Sequence, residues 1–111
     1  MNFDATQIKE LKQITPNLSY AQEGGYSFIL IEGLQLPDGC KPQVVDALLC
    51  PTARDGYESR LFLSTQISGC PARNWNGNIR ALERNWYAIS WRVPTGLRLS
   101  EILLVHLKAF R

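Results

Sequence analysis

The chain is predicted to be a single α+β domain: an N-terminal helix, a four-stranded antiparallel meander, an irregular segment and a C-terminal helix. Two capped or periodic helical stretches lie at the ends, and four strand-like runs lie between turn signals with no helix separating them. With 111 residues, the chain has the size of one domain across residues 1–111. Hydrophobic residues at 45% and charged residues at 20% match folded globular proteins rather than disordered ones, so a buried core is expected.

The first helix starts at about residue 4. Asp4 is placed to cap it, Gln7 to reach back from the third helical position, and Phe3 to staple onto Ile8. Ile8, Leu11 and Ile14 make a narrow apolar stripe, and Pro16 ends the helix by removing a donor and restricting Thr15. The period then shortens to strand-like runs over residues 18–22, 26–34, 44–50 and 60–67, divided by Glu23-Gly24-Gly25, Pro37-Asp38-Gly39, Pro51, and Gly69 with Pro71. Short connections without helices exclude a β-α-β parallel sheet.

After Pro71, polar and aromatic residues mix without a clean period, and Asn76-Gly77 reads as a turn. Leu99, Ile102, Leu103, His106, Leu107 and Phe110 then recur at helical spacing, with Ser100 near the start. These two helices are expected to cover the sheet.

Charge is uneven along the chain. The net charge is +2, too slight for a nucleic-acid partner, yet five bases against eight acids fall in residues 1–72 and seven bases against two acids in residues 73–111. Six of those seven bases are arginines, which suits a surface for an acidic protein partner; the alternative is a solvated face. Trp75, Trp91 and Arg92, with Arg80 and Arg84 spaced as on one side of a helix, are the candidate binding residues. The apolar runs fall far short of the ~20 residues that span a bilayer. An acid at position 4 and the lack of an apolar leader make cytoplasmic residence the expectation.

Cys40, Cys50 and Cys70 contain no Cys-x-x-Cys pair, so neither a disulfide framework nor a metal site is indicated, and no cofactor is implied. Cys70 is the best candidate nucleophile, in a loop between Gly69 and Pro71 with Arg73 nearby to favour thiolate, and Asn74, Asn76 or Asn78 could supply an amide. His106 lies on the apolar stripe and reads as a packed core histidine or, alternatively, a general base.

Helix, meander, long segment and closing helix occur together with Glu23-Gly24-Gly25, Leu36-Pro37-Asp38-Gly39, Val45-Asp46-Ala47-Leu48-Leu49-Cys50-Pro51, Asn85-Trp86-Tyr87 through Ser90-Trp91-Arg92, and Leu103-Leu104-Val105-His106-Leu107. In this order the chain resembles the ubiquitin-conjugating-enzyme (UBC) superfamily, and within it the divergent prokaryotic UBC-like family E. The resemblance implies a UBC-like fold and a place in a bacterial ubiquitin-like modifier conjugation pathway, with the modifier and its activating enzyme as partners. It also implies a modifier-carrying cysteine next to a His-Pro-Asn motif. That motif is missing, the corresponding place reads Cys70-Pro71-Ala72, and the Tyr-Pro element after the third strand is reduced to Pro51 and Tyr57. Two readings follow, a conjugating transferase using Cys70 and a non-catalytic UBC variant that binds the modifier. A small α+β protein-interaction domain unrelated to ubiquitin is the third.

Overall fold

Asp4 caps the first helix as predicted: its Oδ1 accepts the Gln7 N–H at 3.0 Å at the start of α1, Ala5–Ile14. The computed structural model describes residues 3–70 and 74–111. The Gln7 side chain has a different task from the expected capping box, because its Oε1 accepts the Leu99 N–H at 2.9 Å and ties α1 to the start of α2, Leu99–Lys108. Arg98 and Glu10 join the same two helices through a 2.8 Å ion pair. Ile8 and Leu11 are buried, Ile14 is exposed at the edge, and Phe3 packs its ring against Tyr20.

The sheet has six strands, where the sequence predicted four. They are β1 (Leu18–Glu23), β2 (Tyr26–Gln35), β3 (Val44–Cys50), β4 (Arg60–Leu63), β5 (Trp75–Ala81) and β6 (Arg84–Ile89). Their spatial order is β1-β2-β3-β4-β6-β5, and every neighbouring pair is antiparallel. The first four strands form the expected meander. The segment read as irregular is a β-hairpin that adds to the β4 edge through Leu63 and Tyr87.

Two features hid that hairpin. The half-buried positions of β5 are Trp75, Gly77 and Ile79, alternating with exposed Asn76, Asn78 and Arg80, so the apolar half of the alternation is diluted by a glycine and the polar half looks like loop. Its turn is also not at Asn76-Gly77, which lies within β5 where the register to β6 shifts. The chain reverses at Leu82 and Glu83, both with positive φ (52° and 62°), the backbone of a two-residue type I′ turn on residues that seldom adopt it.

Both helices lie on one face of the sheet. Ile8 and Leu11 of α1, with Leu99, Ile102, Leu103 and Leu107 of α2, share a core with Ile29, Ile31, Ala47, Leu49, Leu61 and Leu63. Leu103, Leu107 and Phe110 are all buried, as the helical spacing predicted. The opposite face is apolar too, since Phe28, Leu48, Cys50, Phe62, Ala81, Trp86 and Ala88 form a second cluster. No helix covers it. The Arg54 guanidinium lies over the Tyr26 ring at 4.0 Å and near Phe28 and Phe62, shielding the aromatic end of that cluster. Trp86 is fully buried and donates its indole N–H to Ala81 O at 2.9 Å, which satisfies the one polar atom of that side chain. Among the described residues no helix is long and apolar enough to cross a membrane.

Candidate functional site

The loop after β4 brings Cys70 into a corner built from distant parts of the chain. Ser68 and Lys41 form an isolated antiparallel bridge with two backbone hydrogen bonds, 2.8 and 2.9 Å, so the segment leading to Cys70 is held against the loop leading into β3. Cys70 is half-buried against the helix-side core. Trp75 packs against the same core and stacks on Phe110 with ring centroids 6.4 Å apart, and Cys40 donates its thiol to Phe110 O at 3.6 Å. Cys40 and Cys50 are buried, leaving Cys70 as the thiol with solvent access. Burial, together with the neighbouring Cys70 thiol, pushes the Cys40 pKa up to about 11, so Cys40 is a neutral thiol at physiological pH. Pro71, Ala72 and Arg73, and with them the expected arginine beside Cys70, lie outside the described residues.

A second constellation escaped sequence reasoning. Between β3 and β4 the chain makes a tight reversal in which Arg54 and Tyr57 exchange both backbone hydrogen bonds at 2.9 Å around Asp55 and Gly56. Those two residues have φ of 55° and 83°, the left-handed pair that an Asp-Gly turn supplies. The reversal presents the half-buried Tyr57. Its hydroxyl lies 2.8 Å from Ser90 Oγ and accepts from Asn76 Nδ2 at 2.9 Å, while Arg60 and Arg92 stack over its ring at 4.2 and 4.9 Å. Hydrogen bonds to Ser90 and Asn76 lower the phenol pKa, and the nearby Arg60 and Arg92 charges act in the same direction.

Arg60 is the buried centre of this group, 3% exposed. Its Nη2 donates to Asn76 Oδ1 at 2.8 Å and to Ile89 O at 3.2 Å, and its nearest carboxylate is the exposed Asp55 at 3.8 Å. Asn76, one of three asparagines that could have served Cys70, therefore spends its side chain on Tyr57 and Arg60. Gly77 lies beside it, and a Cβ there would stand 2.8 Å from the Arg60 guanidinium and push it aside. The only sequence signal for Arg60 was a charged residue opening an otherwise apolar strand, Arg60-Leu61-Phe62-Leu63. Next to it, Ser59 and His106 Nε2 are 2.9 Å apart in the core. Burial, and secondarily the Arg60 charge, lowers the His106 pKa to about 4, so His106 takes the packed and hydrogen-bonded alternative.

The predicted binding residues do not converge on one surface feature. Trp75 belongs to the Cys70 corner, while Trp91 donates its indole N–H to Val105 O on α2 at 3.0 Å. Arg92 donates to Gly56 O at 2.8 Å and completes the Tyr57 cluster. Arg80 and Arg84 stand on opposite strands of the β5–β6 hairpin, paired through Asn85 and Ala81, and not on a helix. Arg80 clamps the turn by donating to Glu83 O at 3.0 Å. Arg84 lies over the Trp86 ring and pairs with Asp46 at 3.1 Å. Asp46 Oδ1 in turn accepts the Gly33 N–H at 3.1 Å, where β2 bulges. The cationic C-terminal third thus meets part of the acidic N-terminal portion within the fold, at Arg84–Asp46 and Arg98–Glu10.

No family model, no curated protein and no solved structure matches this chain. The chemistry available is therefore what the residues themselves offer: one half-exposed thiol in a loop, and a tyrosine whose ring lies under two guanidinium groups and whose hydroxyl is bonded to Ser90 and Asn76.

Proposed function

We propose that the chain is a ubiquitin-conjugating-enzyme-like protein of a bacterial ubiquitin-like modifier pathway, which binds the modifier and offers Cys70 as the thiol that could carry it. The observation supporting this reading is the placement of Cys70. It is the one cysteine with solvent access, and it follows directly on a sequential antiparallel meander that a capped helix precedes. A carrier thiol has to be reachable by the activated carboxyl group it receives, and buried Cys40 and Cys50 are not. Thioester transfer would need a donor for the tetrahedral oxyanion, and the Asn76 amide is already engaged with Tyr57. This favours binding over turnover in the isolated chain.

Incubating the protein with a bacterial ubiquitin-like protein, its activating enzyme and ATP tests the reading. Expected is saturable binding of the modifier or of the activating enzyme, with any covalent adduct cleaved by thiol reductant and lost in Cys70→Ser. Absence of both binding and adduct would leave the chain outside conjugation.

A further inference from the structure

Cys40 and Cys70 are separated by thirty positions, but the fold lays their segments side by side. The Lys41–Ser68 bridge holds the two backbones in antiparallel contact. Beyond it Gly39 and Gly69, with φ of 93° and 79°, pack so closely that a Cβ on Gly69 would collide with Gly39 O. Each cysteine directly follows one of these glycines. Cys40 is 3% exposed, and half-buried Cys70 rests against the same core, near enough for its thiol to help raise the Cys40 pKa. The register of the bridge sets Cys40 opposite Gly69, so Cys70 is its diagonal neighbour one residue on, and closure brings the two Cα atoms within the span of about 4.4–6.8 Å that a disulfide bridges.

We propose that Cys40 and Cys70 are a thiol pair that closes to a reversible intramolecular disulfide in the folded chain when a low-molecular-weight disulfide such as oxidised glutathione is present. Cys70, the accessible thiol, attacks as thiolate and breaks the S–S bond of the oxidant. One glutathione leaves with the electron pair and takes up the proton that Cys70 lost. Cys40 then gives up its proton, attacks the Cys70 sulfur of the mixed disulfide and expels the second glutathione as a thiol. Two protein thiols are oxidised to one disulfide, and one glutathione disulfide is reduced to two thiols. Because Cys40 sits protonated in the core, the second step is the slower, and the mixed disulfide on Cys70 precedes the closed form. The proposal rests on the two thiols alone and goes beyond the conjugation reading. It also explains how a pair with no close sequence spacing is assembled, since the Lys41–Ser68 bridge supplies the proximity.

The test uses the folded full-length chain in oxidised glutathione, then denaturation, alkylation of remaining thiols with iodoacetamide, and mass spectrometry. The expected result is a fall from three alkylatable cysteines to one, Cys50, with a Cys40–Cys70 linked peptide in a non-reducing digest and return of all three after dithiothreitol. Cys70→Ser should keep both Cys40 and Cys50 alkylatable. A lasting glutathione adduct on Cys70 with Cys40 still alkylatable would overturn the proposal. So would a Cys70–Cys70 linked dimer, or equal thiol loss in Cys70→Ser.

Discussion

Arg60 shows how one side chain can organise a region. Its guanidinium is buried, its Nη2 reaches Asn76 Oδ1 and Ile89 O together, and its flat face lies on the Tyr57 ring. Lysine keeps the charge but offers a compact ammonium without fork or stacking plane. Arg60→Lys should therefore cost about 1–3 kcal/mol in urea unfolding by leaving buried polar partners unmet. It should also weaken the tyrosine's contacts, seen as a rise in the Tyr57 phenol pKa by ultraviolet titration. An unchanged unfolding midpoint would mean the cluster is solvated and mobile. None of this could be read from the sequence, because a single arginine before Leu61-Phe62-Leu63 looks like a strand boundary. What buries it is the hairpin and the Asp55-Gly56 reversal, each contributed by another part of the chain. The Asp4 cap, by contrast, was legible because its partner lies three residues away.

At the level of elements, legibility followed how local each signal was. Both helices and the first four strands carry their period in contiguous residues, and both helices and the meander were found. β4 ends at Leu63, short of the strand predicted through Ile67, because after Ser64, whose N–H still reaches Asp46 O, the chain leaves the ladder to meet Lys41. The β5–β6 hairpin was missed because its turn defies turn preferences. Leu82 and Glu83 sit in left-handed backbone, held by Arg80 on Glu83 O and by the Glu23 carboxylate accepting the Leu82 N–H at 3.3 Å. A left-handed non-glycine residue costs roughly 1–2 kcal/mol. Glu83→Gly should accordingly stabilise the protein by about 0.5–1 kcal/mol, read as a higher urea midpoint. A lower midpoint would show that the Glu83 side chain contributes more than its backbone strain costs.

For the whole molecule, His106 couples folding to pH. Its pKa is about 4 in the folded chain against 6.5 for an unperturbed histidine, with burial the first cause and Arg60 the second, and Ser59 is its hydrogen-bond partner. The folded state thus resists a proton that the unfolded chain accepts. Stability is fully present above pH 6.5 and falls as the pH drops from there towards 4, by up to about 3 kcal/mol from this residue. Urea unfolding at pH 7 and pH 4.5 should show a smaller loss in His106→Gln than in the parent, and equal losses would remove His106 as the cause. The closure between the chain's two ends, Gln7 on Leu99, has a consequence of another kind. The bond joins residues 92 positions apart, and Ile8 and Leu11 bury their apolar faces in a core that includes α2. At about 5–20 residues per second, synthesis of that interval takes roughly 5–18 s. An interval of that length separates the emergence of the first helix from that of Leu99, and during it the helix has no α2 to pack against and its apolar stripe is uncovered.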